Sequence, residues 1–141
     1  MDLLSWQSMI FALLCGTAGL ALSLYVALVG YGVIAPEAGV LPRFCRMDKA
    51  TCARVLDHPD ARLLGIPNSL LGVAYYLALI AVQLLDTSGR FAVLMRGAAW
   101  CAVAFGAYLS YSLVARVRVL CQVCLAAHLL NLLIAVGLTW M

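Results

Sequence analysis

The chain has 141 residues, 66% of them hydrophobic and 11% charged, with a formal net charge of +3. A soluble domain is about 45–50% apolar and about 25% charged, so this composition excludes an ordinary water-soluble fold and points to lipid as the solvent. The charge is too small and too scattered for a nucleic-acid-binding surface.

The first apolar segment covers about Ile10 to Ile34. Met1-Asp2 offers no basic n-region, no A-x-A site follows, and the run is too long for a secretory h-region, so a retained transmembrane helix is expected. Next comes a long polar stretch, Ala35 to Gly65, rich in Pro and Gly. Loops of this length are usually functional. Within it Ala50 to Asp57 suits a short helix limited by Pro59. Three further apolar segments follow, at about Pro67–Leu85, Phe91–Ala115 and Val119–Trp140. They are separated by the turns Asp86-Thr-Ser-Gly-Arg90 and Arg116-Val-Arg118. Each segment is near the ~20 residues that cross a hydrocarbon core. Unbroken apolar runs of that length satisfy their backbone in lipid only as helices. The expected fold is an all-α integral membrane protein, a four-transmembrane-helix bundle forming one domain over residues 1–141, with a redox loop at 35–66 between helices 1 and 2.

Parity adds a constraint. Helix 2 crosses away from the long loop and helix 3 returns, so helix 4 starts on the loop's side. The loop cysteines Cys45 and Cys52 then face the same compartment as Cys121 and Cys124, the CxxC that opens helix 4. Helix 3 carries Ala98, Ala102, Gly106 and Ser110 at four-residue spacing, a small-residue stripe for bundle packing. Arg96, near one end of helix 3, is expected to snorkel to the interface. Cys15 and Cys101 stand alone in apolar runs and read as small buried core residues.

Chemistry concentrates on helix 4. At about 100° per residue, Cys121, Cys124, His128 and Asn131 fall within an arc of roughly 80°. Polar groups inside a membrane are expensive unless paired or functional. His128 is therefore either a structural hydrogen-bonding residue or, given its place two turns beyond a CxxC, a ligand contact. On helix 2, Asn68, Gly72 and Tyr75 share a side, with Gln83 near the opposite end. Asn68 either caps the helix after Pro67 or meets a ligand at the depth of the CxxC, and Gly72 leaves room for a flat group. A cysteine near a helix N-terminus gains thiolate character, the attacking form in disulfide exchange. Haem attachment needs CxxCH, and Leu125 follows here. Zinc would need four ligands, which Cys45 and Cys52 would complete, so a zinc-binding or redox-sensing membrane module remains open. Arg43, Arg46, Lys49 and Arg54 surround the loop pair and favour thiolate there. A permanent loop staple is the bland alternative.

Taken together, Cys45 and Cys52, the segment Gly65-Ile-Pro-Asn-Ser-Leu-Leu-Gly-Val-Ala-Tyr-Tyr76, and Cys121-Gln-Val-Cys124 resemble the vitamin K epoxide reductase (VKOR) family in its compact bacterial form, over nearly the whole chain. The resemblance implies a bundle that holds a membrane quinone (ubiquinone, menaquinone or vitamin K type) beside the CxxC. Electrons would enter at Cys45 from a partner, pass through Cys52 to Cys121, and leave from Cys124 to the quinone. Asn68 matches the family asparagine that hydrogen-bonds a quinone carbonyl. His128 takes the second polar position, where vertebrate members have tyrosine, and Tyr75 and Gly72 complete the quinone side. One departure is His58, followed by Pro59, where many members place a serine. It stands as a loop modulator through hydrogen bonding or pH.

Many bacterial relatives carry a fused thioredoxin-like domain, so the expected partner here is a separate thioredoxin-fold oxidant acting in trans. The implied activity is a quinone-dependent thiol–disulfide oxidoreductase supporting disulfide formation. Quinone or vitamin K epoxide reduction as the physiological purpose is the alternative. The implied location is the bacterial inner membrane, with the loop extracytoplasmic and the redox cysteines periplasmic. Charge argues the other way: Arg43, Arg46, Lys49, Arg54 and Arg62 lie on the loop, with Arg116 and Arg118 on the same side, against Arg90 and Arg96 opposite. The positive-inside rule would make the loop cytoplasmic, whereas disulfide formation belongs to oxidising compartments.

Overall fold

The computed structural model describes residues 3–33, 62–63, 66–85, 88–112, 114–115 and 122–140. Four helices carry the fold: α1 (Leu3–Gly30), α2 (Asn68–Leu85), α3 (Ala92–Ser112) and α4 (Gln122–Trp140). Three contain spans long and apolar enough to cross a membrane, Trp6–Gly30, Asn68–Leu85 and Ala92–Ser112, with mean hydropathies of 2.1, 1.7 and 1.5. The Cys124–Trp140 stretch of α4 is apolar and shorter. The chain is thus an all-α membrane bundle. Most of the long loop, including the short helix expected at Ala50–Asp57, lies outside the described residues.

The first helix departs from its apolar run at both ends, starting at Leu3 and stopping at Gly30. Its stop has a local cause. Gly32 adopts φ +74°, a left-handed conformation open to glycine without penalty. The Val33 amide then donates to the Leu28 carbonyl at 2.9 Å, and the Gly32 amide to that of Val29 at 3.1 Å. These two bonds satisfy carbonyls that the helix end would leave orphaned.

A second departure precedes α2. Arg62–Leu63 (β1) pairs antiparallel with Ile66–Pro67 (β2), in the register Arg62 to Pro67 and Leu63 to Ile66. Strands of two residues carry no alternation, so periodicity could not reveal them. Pro67, which has no amide to donate, stands at the end of its strand, where such a residue is tolerated.

Close approaches fix how the helices pack. Antiparallel α1 and α2 meet where Gly16 faces Leu79 and Ile80, Gly19 faces the Tyr76 ring, and Gly72 faces Ser23. Antiparallel α3 and α4 meet where Gly106 faces His128 and where the Trp100 indole N–H donates to Thr139 Oγ1 at 3.0 Å. α1 also packs on α4, with Phe11 against Gly137. The most extensive packing therefore runs from α2 to α1, from α1 to α4 and from α4 to α3. Membrane helices gain from such contacts through dispersion, because small residues let backbones approach. The stripe expected on α3 behaves this way: Gly106 is buried, and Ala98, Ala102 and Ser110 are half-buried.

A cluster of Cys15, Tyr76, Leu79, Ala99, Ile134, Ala135 and Leu138 forms the core. Most of it sits in the half of the bundle away from Asn68 and Cys124. Cys15 is buried there, as a small hydrophobe should be. Cys101 is not: it is exposed on α3, and the expectation of burial fails. In a membrane helix an outward position faces lipid, where a thiol behaves as a small apolar group.

Candidate functional site

Asn68 is the first residue of α2, immediately after β2, and is half-buried. The strand pair thus delivers the chain into the helix at this residue. Two turns further on, Tyr76 is 2% exposed, and its hydroxyl donates to Asn131 Oδ1 of α4. The Tyr76 hydroxyl also lies 3.4 Å from the Ala127 carbonyl oxygen. Since α2 and α4 both run antiparallel to α1, they run parallel to each other. Tyr76 therefore sets their relative depth, with Asn68 and Cys124 both on the loop side of that bond.

Sequence reasoning placed Asn131 on the reactive face of helix 4 but missed its partner. Asn68, Gly72 and Tyr76 recur at four-residue spacing, which puts Tyr76 on the same helix face but does not say what it meets there. Tyr76 is also wedged by its neighbours: a Cβ at Gly19 would overlap its ring, and the Tyr75 ring stands 5.0 Å away, tilted by 59°.

Among the described residues, the Tyr75 hydroxyl on α2 and His128 Nδ1 on α4 are buried without a hydrogen-bond partner. An unmatched buried polar atom costs about 1–3 kcal/mol, and such atoms mark places where a ligand can supply the missing bond. His128 is held from the α3 side, where a Cβ at Gly106 would come within 2.8 Å of Nδ1 and 3.2 Å of Cγ. The imidazole therefore packs on backbone rather than on a side chain, and its position depends on Gly106.

Cys124 lies half-buried in the first turn of α4, one turn from His128. Cys124, His128, Tyr75 and Asn68 thus all lie within the loop-side half of the bundle. Gly72 does not open onto free space. A Cβ there would meet Ser23 Oγ at 2.6 Å and Cβ at 3.3 Å, so the room it provides is used by α1. Cys45, Cys52, His58 and Cys121 lie outside the described residues.

A polar hydroxyl and an imidazole nitrogen, both buried and unmatched, suit the carbonyl or hydroxyl edges of a quinone head group, and the surrounding apolar helices suit its body.

A search of the curated proteins finds no match to this chain. The family model described as the Vitamin K epoxide reductase family matches residues 10–139. The chain, with its membrane helices, therefore belongs to the vitamin K epoxide reductase family, membrane oxidoreductases of quinone-linked thiol chemistry.

Proposed function

We propose that this protein is a quinone-dependent thiol–disulfide oxidoreductase that makes disulfides in exported proteins. The observation that carries the reading is the half-buried Cys124 set one turn from His128, whose Nδ1 is unmatched, in a chain matched by the family model over residues 10–139. A thioredoxin-fold partner in trans gives up two electrons and two protons as its dithiol becomes a disulfide. The Cys45–Cys52 disulfide takes them and becomes a dithiol, with Cys45 exchanging with the partner. Cys52 then exchanges with Cys121, so that the Cys121–Cys124 pair is reduced as the loop pair reoxidises. A bound quinone supplies a two-electron, two-proton acceptor. Asn68, Tyr75 and His128 would hold it by hydrogen bonds beside Cys124, and the apolar bundle excludes water that would compete for those bonds. His58, beside Pro59, tunes the loop pair.

The test is quinone reduction by purified protein supplied with a small dithiol or a reduced thioredoxin-fold donor, followed by absorbance. Native protein is expected to turn over and Cys124→Ser to lose turnover by at least about a hundredfold, the scale of removing an activated nucleophile. Cys45→Ser is expected to fail with the protein donor alone. Absence of turnover with every quinone, together with stoichiometric zinc in the purified protein, would replace this reading by a metal site.

The redox cysteines face outside the cytoplasm in this proposal, in the periplasm if the membrane is a bacterial inner membrane. Disulfide formation supports that side, although seven basic residues from Arg43 to Arg118 lie there against the positive-inside rule. A reporter enzyme active only outside the cytoplasm is expected to be active when inserted after Gly39 and silent when fused at Met141. The reverse pattern sinks the assignment.

A further inference from the structure

At the end of the bundle away from Asn68 and Cys124, Val82 and Gln83 of α2, Gly89 of the connection, Ala92, Met95 and Arg96 of α3, and Leu138 of α4 enclose a recess of about 200 Å³. A Cβ at Gly89 would meet nothing within 4 Å among the described residues. Arg96 is half-buried in its wall. No hydrogen bond or ion pair joins Arg96 or Gln83 to any other described residue. An arginine with no counter-charge among the described residues is costly in a membrane, and its planar fork matches a phosphate geometrically.

The depth of the recess says what kind of anion reaches it. Trp6, Phe91 and Trp140 are exposed at this same end, as aromatic residues are at the level of lipid head groups. Arg96 sits one turn into α3, and so stands just below that girdle. It lines the same cavity as the apolar Val82, Met95 and Leu138, at the depth where an arginine snorkels to the interface.

We propose that this recess is a binding site for one anionic glycerophospholipid. Its phosphodiester is held by the Arg96 guanidinium and the Gln83 side-chain amide, and its glycerol and upper acyl carbons lie on Val82, Met95 and Leu138. The shared chemistry is a phosphate anion. Free inorganic phosphate satisfies the cation but leaves the apolar floor uncovered, so the lipid is the better fit.

The test uses the full chain, purified in neutral detergent and exposed to phosphatidylglycerol, to phosphatidylcholine or to inorganic phosphate, with bound lipid read by native mass spectrometry. Native protein is expected to retain a single phosphatidylglycerol. Retention should fall about tenfold in Arg96→Gln, the scale of a lost charge-assisted bond, and should return only in part in Arg96→Lys, which restores the charge but not the fork. Helicity by circular dichroism confirms that the variants are folded. Equal retention by Arg96→Gln overturns the proposal, because the lipid is then merely annular. Displacement by millimolar inorganic phosphate overturns it in favour of a free-anion site. Asp86 of the connection lies outside the described residues, and Asp86→Asn is expected to leave retention unchanged. A several-fold gain in that variant would show that Arg96 is already paired within the chain, and would also overturn the site.

Discussion

Gly19→Ala is expected to destabilise the bundle by about 1–3 kcal/mol, the usual scale of overpacking in a tight core. The added methyl would fall on the ring of Tyr76, which is 2% exposed. That ring cannot yield by rotating outward, because its hydroxyl is bonded to Asn131 on a third helix. Either the ring shifts and the bond to Asn131 breaks, or α1 and α2 separate and lose their remaining close contacts at Gly16 and Gly72. Equilibrium unfolding in mixed micelles measures the loss. Tyr76→Ala opens the space, so Gly19→Ala should have little further effect in that background. Tyr76→Phe keeps the ring and gives no such relief. An unchanged unfolding midpoint for Gly19→Ala alone would show that these helices do not pack as described.

The second large effect is expected on turnover rather than on stability. Gly106→Ala places a methyl within 2.8 Å of His128 Nδ1 and 3.2 Å of Cγ. The nearest atoms are the base of the ring, not the tip of a flexible chain, so the imidazole must swing or α3 must retreat. If His128 positions the quinone beside Cys124, displacement by about an ångström lowers turnover by roughly tenfold to a hundredfold. His128→Ala should remove the thermal penalty of Gly106→Ala without restoring turnover. That separates a positioning defect from general loosening. A Gly106→Ala protein with native turnover would remove His128 from the proposed site.

The four helices were legible because apolar runs near twenty residues have one outcome in lipid, and three of the four are long and apolar enough to span it. The ends were less so. The first run stays apolar through Ile34, yet α1 stops at Gly30 because Gly32 turns the backbone, a local event that hydropathy does not register. The strand pair at Arg62–Pro67 escaped for a similar reason. At the site, helical spacing collected Cys124, His128 and Asn131 on one face, but spacing states which side a residue is on and not what meets it there. Gly72 shows the limit. A glycine facing inward invites a ligand on paper, whereas Ser23 of another helix fills the place. Tyr76 shows the converse. It lay in the same four-residue progression as Asn68 and Gly72, yet its bond to Asn131 spans 55 positions of sequence, a distance no local pattern encodes.

That long-range bond bears on the order in which the protein can assemble. The helices form two antiparallel hairpins, α1 with α2 and α3 with α4, each closed by neighbours in sequence. Such local pairs form early, whereas contacts between distant segments wait for loop closure. The joining surface here is between the first helix and the last. Neither the Tyr76–Asn131 bond nor the grouping of Asn68 with Cys124 can exist until α4 has left the ribosome and docked. On the proposed relay, a nascent chain that has inserted three helices would carry its loop thiols with no electron acceptor behind them, and the redox circuit would close only with the final docking step.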